Sequence, residues 1–282
     1  MDYRSGRQCG EDYILEGVRH FDLAAILDCG QAFRWSPVGE DAYQGIAFGR
    51  QLTIRQTGER LIFYKCGRTE FDAFWRGYFD FGRNYGQLKE MFARYPHLRQ
   101  AVDHAPGIRV LNQDGWEALC TFILSQNNNI PRIKGLVARL CEQFGDEIPG
   151  GFVFPRPERL AGLSPEDLAP VRAGFRAKYI IAAANATAGG QVNLAAIAKL
   201  PLNEARAMLM TIHGVGPKVA DCALLFGFGR AECNPIDVWM ARVMQAWFPN
   251  GLPEEVLPVA GIAQQYLFHY ARESQLIINN EQ

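Results

Sequence analysis

The chain has no Cys-x-x-Cys pair, no apolar run long enough to span a membrane and almost no net charge. Its seven cysteines (Cys9, Cys29, Cys66, Cys120, Cys141, Cys222, Cys233) are scattered and odd in number, which argues against a disulfide framework and against a zinc or iron–sulfur centre. Most are expected to be buried small hydrophobes. Residues 1–17 lack the apolar core of a signal peptide, and without a membrane span the expected location is the cytoplasm, on the nucleoid in a bacterium. The formal net charge of -1 is unlike that of a generic basic nucleic-acid coat. Binding DNA would therefore require basic groups gathered on one face, because affinity follows local phosphate neutralisation. What is present, 48% hydrophobic and 21% charged residues in 282, is the make-up of an ordinary globular protein with room for two domains.

The pattern along the chain changes once. Between Gln31 and Lys65 the segments are short and strand-like (Ala32 to Trp35, Ala42 to Phe48, Gln51 to Gln56, Arg60 to Lys65), with turn residues between them that suit antiparallel hairpins. From Phe71 the apolar spacing becomes helical, through Phe74, Trp75, Tyr78 and Phe79, then Gln87 to Tyr95 and Leu98 to Val102. Ala105-Pro106-Gly107 is a plausible boundary. Beyond it the periodic segments are helical: Gln113 to Ser125, Ile130 to Phe144, Arg176 to Thr187, Glu204 to Ile212, Pro217 to Phe226, Val238 to Phe248 and Val259 to Glu273. Ser164-Pro165-Glu166-Asp167 reads as a further helix start. The expected fold class is α+β: an N-terminal antiparallel sheet domain with flanking helices (1–106), then a mainly helical domain (107–282).

The densest signal is Met210-Thr211-Ile212-His213-Gly214-Val215-Gly216-Pro217-Lys218-Val219-Ala220-Asp221-Cys222, with Asp237 19 residues beyond Lys218. The glycine turn separates two apolar helical patterns, so its N–H groups and the second helix's N-terminus can face a phosphate. Lys218 falls in the first turn of that helix, where the dipole disfavours a cation and so favours a nucleophilic amine. Cys222, four residues on, shares its face. Asp237 stands where an N-cap would, a role needing no chemistry, yet a carboxylate held there can also take a proton or stabilise a developing cation.

Taken with Gly30-Gln31-Ala32-Phe33-Arg34-Trp35, Ser125-Gln126-Asn127-Asn128-Asn129-Ile130-Pro131-Arg132-Ile133, Gly174-Phe175-Arg176-Ala177-Lys178-Tyr179 and Ala263-Gln264-Gln265-Tyr266-Leu267-Phe268, this hairpin resembles the helix-hairpin-helix DNA glycosylases. Within them it is similar to the 8-oxoguanine DNA glycosylase/AP-lyase branch, over roughly residues 12–272, with the motifs in the family's order. The resemblance implies a base-flipping enzyme acting on double-stranded DNA that contains oxidised guanine, monomeric, with no metal or organic cofactor and no membrane partner.

Carried over by position, the resemblance makes Lys218 the nucleophile at the sugar C1′ and Asp237 its electrostatic partner. A Schiff base then permits β-elimination. It makes Gly30, Cys222, Gln264 and Phe268 the lesion-base pocket, with the Gly30 carbonyl accepting from N7–H of 8-oxoguanine. It gives Asn127, Arg132 and Arg176 to the orphaned cytosine, Phe175 to the wedge, and Gly214, Val215, Gly216 and Trp239 to DNA phosphate. Three positions depart from the family's pattern. Trp239 stands where some members carry histidine, Phe175 replaces a tyrosine, and Phe226 reshapes the pocket wall. Two other readings are a monofunctional alkylated-base glycosylase using Asp237 with water, and a non-catalytic module that only grips phosphates. A fold-sharing protein with an unrelated ligand is a third.

Overall fold

Six antiparallel strands, β1 (Ser5–Cys9), β2 (Asp12–Glu16), β3 (Trp35–Pro37), β4 (Ala42–Ala47), β5 (Arg50–Thr57) and β6 (Arg60–Tyr64), form a sheet in the order β1-β2-β6-β5-β4-β3. This is a computed structural model describing residues 2–274. Alternation drives the central strands: Leu52 and Ile54 of β5 and Leu61 and Phe63 of β6 are buried, with Ile54 paired to Phe63 across the ladder. A π-helical turn (Phe71–Trp75) presents Phe71 and Trp75 to that face, where Phe71 meets Phe63 edge-on at 5.0 Å.

One expectation about the sheet needs correction, and one hairpin lies outside the strands expected from sequence. The strand placed at Ala32 to Trp35 is a loop until Trp35, and Pro37 suits the edge strand β3, where no ladder donor is needed. The β1–β2 hairpin was not foreseen, because every residue of β1 is exposed and its polar sequence carries no alternation.

The helices that position the site are α1 (Leu23–Asp28), α2 (Tyr85–Phe92), α3 (Pro96–His104), α4 (Gly115–Ser125), α5 (Ile130–Phe144), α6 (Ala177–Ala188), α7 (Leu202–Met210), α8 (Pro217–Phe228), α9 (Val238–Trp247) and α10 (Ala260–Ser274). Among the described residues no helix is long and apolar enough to cross a membrane. No α-helix starts at Ser164. There Ser164 and Asp167 cap each other through Ser164 N–H to Oδ2 at 2.8 Å, and only a 3-10 turn (Ala169–Val171) follows.

Packing also moves the division of the chain. Apolar residues from Tyr13 to Phe81 pack beneath the sheet, and those from Tyr85 onward gather in the helical core, with Phe33 and Leu111 crossing over. Phe92 of α2 meets Tyr266 of α10 at 6.1 Å, so a boundary at residue 106 would cut one packed core. We place the division between Phe81 and Tyr85.

The two parts are joined by buried polar groups. Gln31 Nε2 donates to the Arg109 carbonyl at 2.7 Å, its Oε1 accepts from Leu111 N–H at 2.8 Å, and its own carbonyl accepts from Gln113 Nε2 at 2.7 Å. Arg34 reaches Glu117 of α4 at 3.3 Å and also the Phe152 carbonyl. Burial outweighs the pull of Arg34 and pushes the Glu117 carboxyl up to about 7 from its usual 4.5. The folded state therefore holds this proton more tightly than the unfolded chain. The resulting stability, roughly 3 kcal/mol, is present in full below pH 4.5 and lost as pH rises through about 7. Denaturant unfolding of wild type and Glu117→Gln at pH 5 and pH 8 checks this: wild type weakens over that window and the variant does not.

Candidate active site

Pro217 opens α8, where its missing N–H is no loss, and the N-cap Gly216 offers no side chain to the first-turn donors. Those donors are left for an anion. Gly214 turns the chain at φ +89°, and a methyl group there would lie 2.2 Å from the Tyr179 ring. The Gly214 carbonyl accepts from Gln126 Nε2 at 3.1 Å, which fixes the hairpin against the end of α4. Gly214→Ala combines left-handed strain with overpacking and should cost about 2–4 kcal/mol. Thermal unfolding checks it, and a midpoint unchanged within about a degree would contradict it. Val215, expected at a phosphate, instead buries its side chain and donates its N–H to the Ile212 carbonyl at 3.0 Å. It anchors the turn, with its N–H already engaged.

Lys218 is half-buried, with Nζ 3.3 Å from Ser125 Oγ and 5.3 Å above the Phe122 ring. Asp237 caps α9 by accepting from Met240 N–H at 2.8 Å. An open cleft of about 510 Å³ runs past Ser125 to Asn128, the start of α8 and Asp237 to Trp239. Behind it lies a recess of about 60 Å³, walled by Gly30, Phe122, Cys222, Phe226, Gln264 and Phe268. Lys218 and Asp237 border both spaces, so they stand at the threshold between them. The recess is far smaller than a typical ligand pocket, about 300–1,000 Å³.

Gly30 reaches the recess from the sheet side at φ +92°, directly after α1 and Cys29, and a methyl group there would press to 2.9 Å of Ile130 Cδ1. The Gln264 side chain is buried, and its Oε1 has no hydrogen-bond partner among the described residues. An unpaired buried amide oxygen on the wall of a recess suits a ligand that brings its own donor. Phe122 and Phe226 stack at 5.1 Å, Phe268 is half-buried, and burial pushes the Cys222 thiol up to about 11, leaving it protonated beside Lys218.

At the cleft rim the asparagine run divides by role. Asn129 caps α5 by accepting from Arg132 N–H at 3.0 Å, and Asn128 bonds the Leu124 carbonyl at 3.1 Å. Asn127, exposed and left-handed at φ +48°, keeps its side chain free among the described residues. The Arg132 side chain is exposed. Arg176 is buried, its Nε donating to the Gln126 carbonyl and its Nη2 to the Asn127 carbonyl at 2.8 Å each, and its guanidinium stacked 4.4 Å over Phe175. Burial, then the nearby charge of Arg132, lowers its affinity for the proton. As folded it shapes the loop bearing Asn127, and reaching a base would require it to release those carbonyls. Phe175 is 50% exposed, with the Tyr179 ring edge-on to it at 5.9 Å.

Of the residues picked from sequence, Lys218 and Asp237 border both spaces, Gly30, Cys222, Gln264 and Phe268 wall the recess, and Asn127, Gly216 and Trp239 line the cleft, whereas Arg132, Phe175, Arg176, Gly214 and Val215 line neither. Others were missed: Ser125 and Phe122 beside Lys218, Gln126 on the hairpin, and Gln31 bracing Gly30. Ser125, Gln126 and Gln31 lay inside the motifs already singled out. Phe122 carried only the signal of an ordinary core position.

Residues 120–256 match the family model described as HhH-GPD superfamily base excision DNA repair protein, the class that this hairpin and cleft define. Residues 14–119 match the 8-oxoguanine DNA glycosylase N-terminal domain. The chain is similar over 98% of its length, and all of the other, to MBOgg1 solved with a low affinity DNA ligand (40% identity, TM-score 0.91). A Clostridium acetobutylicum 8-oxoguanine glycosylase/lyase, solved with dsDNA containing cytosine opposite to 8-oxoG, matches over the same shares at 35% identity and TM-score 0.91. The Arabidopsis thaliana N-glycosylase/DNA lyase OGG1 is 35% identical over 77% of this chain, which spans 64% of that relative's length. The chain belongs to the 8-oxoguanine DNA glycosylase family.

Proposed function

We propose that the chain is a bifunctional DNA glycosylase/AP lyase that removes 8-oxoguanine, preferentially opposite cytosine, from double-stranded DNA. The observation that carries this reading is the placement of Lys218 and Asp237 where the open cleft narrows into the recess. A nucleotide flipped out of a duplex lying in the cleft would pass its base between them and bring its sugar to Lys218 Nζ. Attack at C1′ expels the base, with Asp237 stabilising the cationic character that develops there. The amine then forms a Schiff base with the opened sugar, and loss of a C2′ proton eliminates the 3′ phosphate.

In this reading the Gly30 carbonyl accepts from N7–H of the lesion, Gln264 meets its Watson–Crick edge and Phe268 stacks on it. Cys222 lines the pocket without reacting. Phe175 fills the vacated stack while Asn127 and Arg132 meet the orphaned cytosine, joined by Arg176 once it leaves the loop. Gly216, the first turn of α8 and the Trp239 indole take phosphates, with Gly214 and Val215 shaping the turn that aims them. The chain works as a monomer without a cofactor, and soluble DNA is its partner.

Asp237→Asn separates chemistry from capping, since asparagine caps a helix as well as aspartate does. The expected outcome is a base-release rate lower by about 10²–10³-fold at an unchanged melting midpoint. Single-turnover excision from duplexes with 8-oxoguanine opposite each of the four bases measures it and reads opposite-base preference directly. Wild-type release of 8-oxoguanine no faster than of guanine would overturn the proposal. Release without strand cleavage would favour the monofunctional alternative.

A further inference from the structure

We infer that His104, His269 and Glu273 form a site for one divalent transition-metal cation, of the class that favours imidazole ligands and typified by Zn²⁺, linking α3 to α10. Among the described residues these three side chains bring their donor atoms within 4.8 Å of one another. His104 Nε2 lies 2.9 Å from Glu273 Oε2, and His269 Nε2 lies 3.3 Å from the same oxygen. Ligand atoms about 2.0–2.2 Å from a tetrahedral zinc stand about 3.3 Å from each other, so the two edges are close to those a bound ion requires.

The local sequence builds the cluster. His269 and Glu273 are four residues apart on α10 and share a face, and His104 is the last residue of α3. Two imidazoles and one carboxylate are a zinc donor set with the fourth position open to water, whereas Mg²⁺ and Ca²⁺ prefer sites made of oxygen alone. The neighbouring cation does not close the site. Arg272 extends toward the recess, with Nη1 3.7 Å from where a Gly30 Cβ would stand and its guanidinium 5.7 Å from the Phe268 ring.

Without an ion, both imidazoles rely on one oxygen of a half-exposed carboxylate, while the buried His269 leaves Nδ1 with no partner. That last point sets the strength of the site. Metal-bound histidines normally gain from a bond at their other nitrogen, and lacking it costs about 10–100-fold in affinity, so binding in the micromolar range is expected. A bound ion would tie α3 to the helix that carries Gln264 and Phe268, stabilising the fold and steadying one wall of the recess.

The test is calorimetric titration of Zn²⁺ into chelator-treated full-length protein carrying Cys9→Ser, which removes the exposed thiol as a competing ligand. About one ion per chain should bind and raise the melting midpoint. His104→Gln and Glu273→Gln, both at exposed positions, should each weaken binding at least tenfold and abolish that rise. In the NMR spectrum of the unsubstituted chain, Zn²⁺ should move the imidazole C–H signals of two of the five histidines. No uptake at about 100 µM Zn²⁺, uptake undiminished in both variants, or shifts confined to other histidines would each overturn the inference.

Discussion

Lys218→Gln is expected to lower both base release and strand cleavage on 8-oxoguanine duplexes by at least about a thousandfold, with no change in fold. The two activities fall together because one amine serves both steps, first as the nucleophile at C1′ and then as the nitrogen of the Schiff base. Stability should hold, since Lys218 is half-buried and its hydrogen bond to Ser125 Oγ is long, at 3.3 Å. DNA affinity should change modestly, because removing one charge leaves the Gly216 turn and the helix terminus in place. Comparing excision and nicking rates with binding on the same duplex separates these effects. A variant that nicks normally would remove Lys218 from the mechanism, and one that loses only binding would recast the hairpin as a phosphate grip.

A comparably large effect on stability is expected far from the cleft. Arg109 is fully buried and ion-paired to Asp2, with Nη1 on the Asp80 carbonyl and Nε on the His20 carbonyl, each at 2.9 Å. The guanidinium also lies 4.4 Å over the Tyr85 ring, and the Asp2 carboxylate accepts from Tyr85 N–H at 3.0 Å. Asp2→Ala leaves that charge in the interior without a counter-ion, which should cost about 3–5 kcal/mol. Replacing both partners, by Asp2→Ala with Arg109→Met, should cost less than the single change. Urea unfolding measures each. A loss below about 1 kcal/mol for Asp2→Ala would mean that the carbonyls alone satisfy Arg109.

Much of the fold and site was legible because the informative signals are local. The helix over Ile130–Phe144 follows from its apolar period, and the end of α7, the glycine turn and the start of α8 from one run of residues. Asp237 was legible as a cap from its place before an apolar helix. The resemblance, not the periodicity, supplied the roles of Gly30, Gln264 and Phe268. What escaped depends on contacts distant in sequence. The Asp2–Arg109 pair spans 107 positions, and neither residue looks unusual alone. The polar strand β1 pairs with β2 through its backbone, which leaves no mark on side-chain choice. The resemblance gave Arg176 to the orphaned cytosine, and nothing local foretold that its guanidinium would be turned inward to hold the Gln126 and Asn127 carbonyls.

Borohydride trapping tests the central claim most directly, with a duplex carrying 8-oxoguanine opposite cytosine and an undamaged duplex as control. The account predicts that wild type becomes covalently linked to the damaged duplex alone, that peptide mapping places the adduct on Lys218, and that Lys218→Gln gives none. Base release without any trapped adduct, or an adduct mapped to another residue, would contradict it.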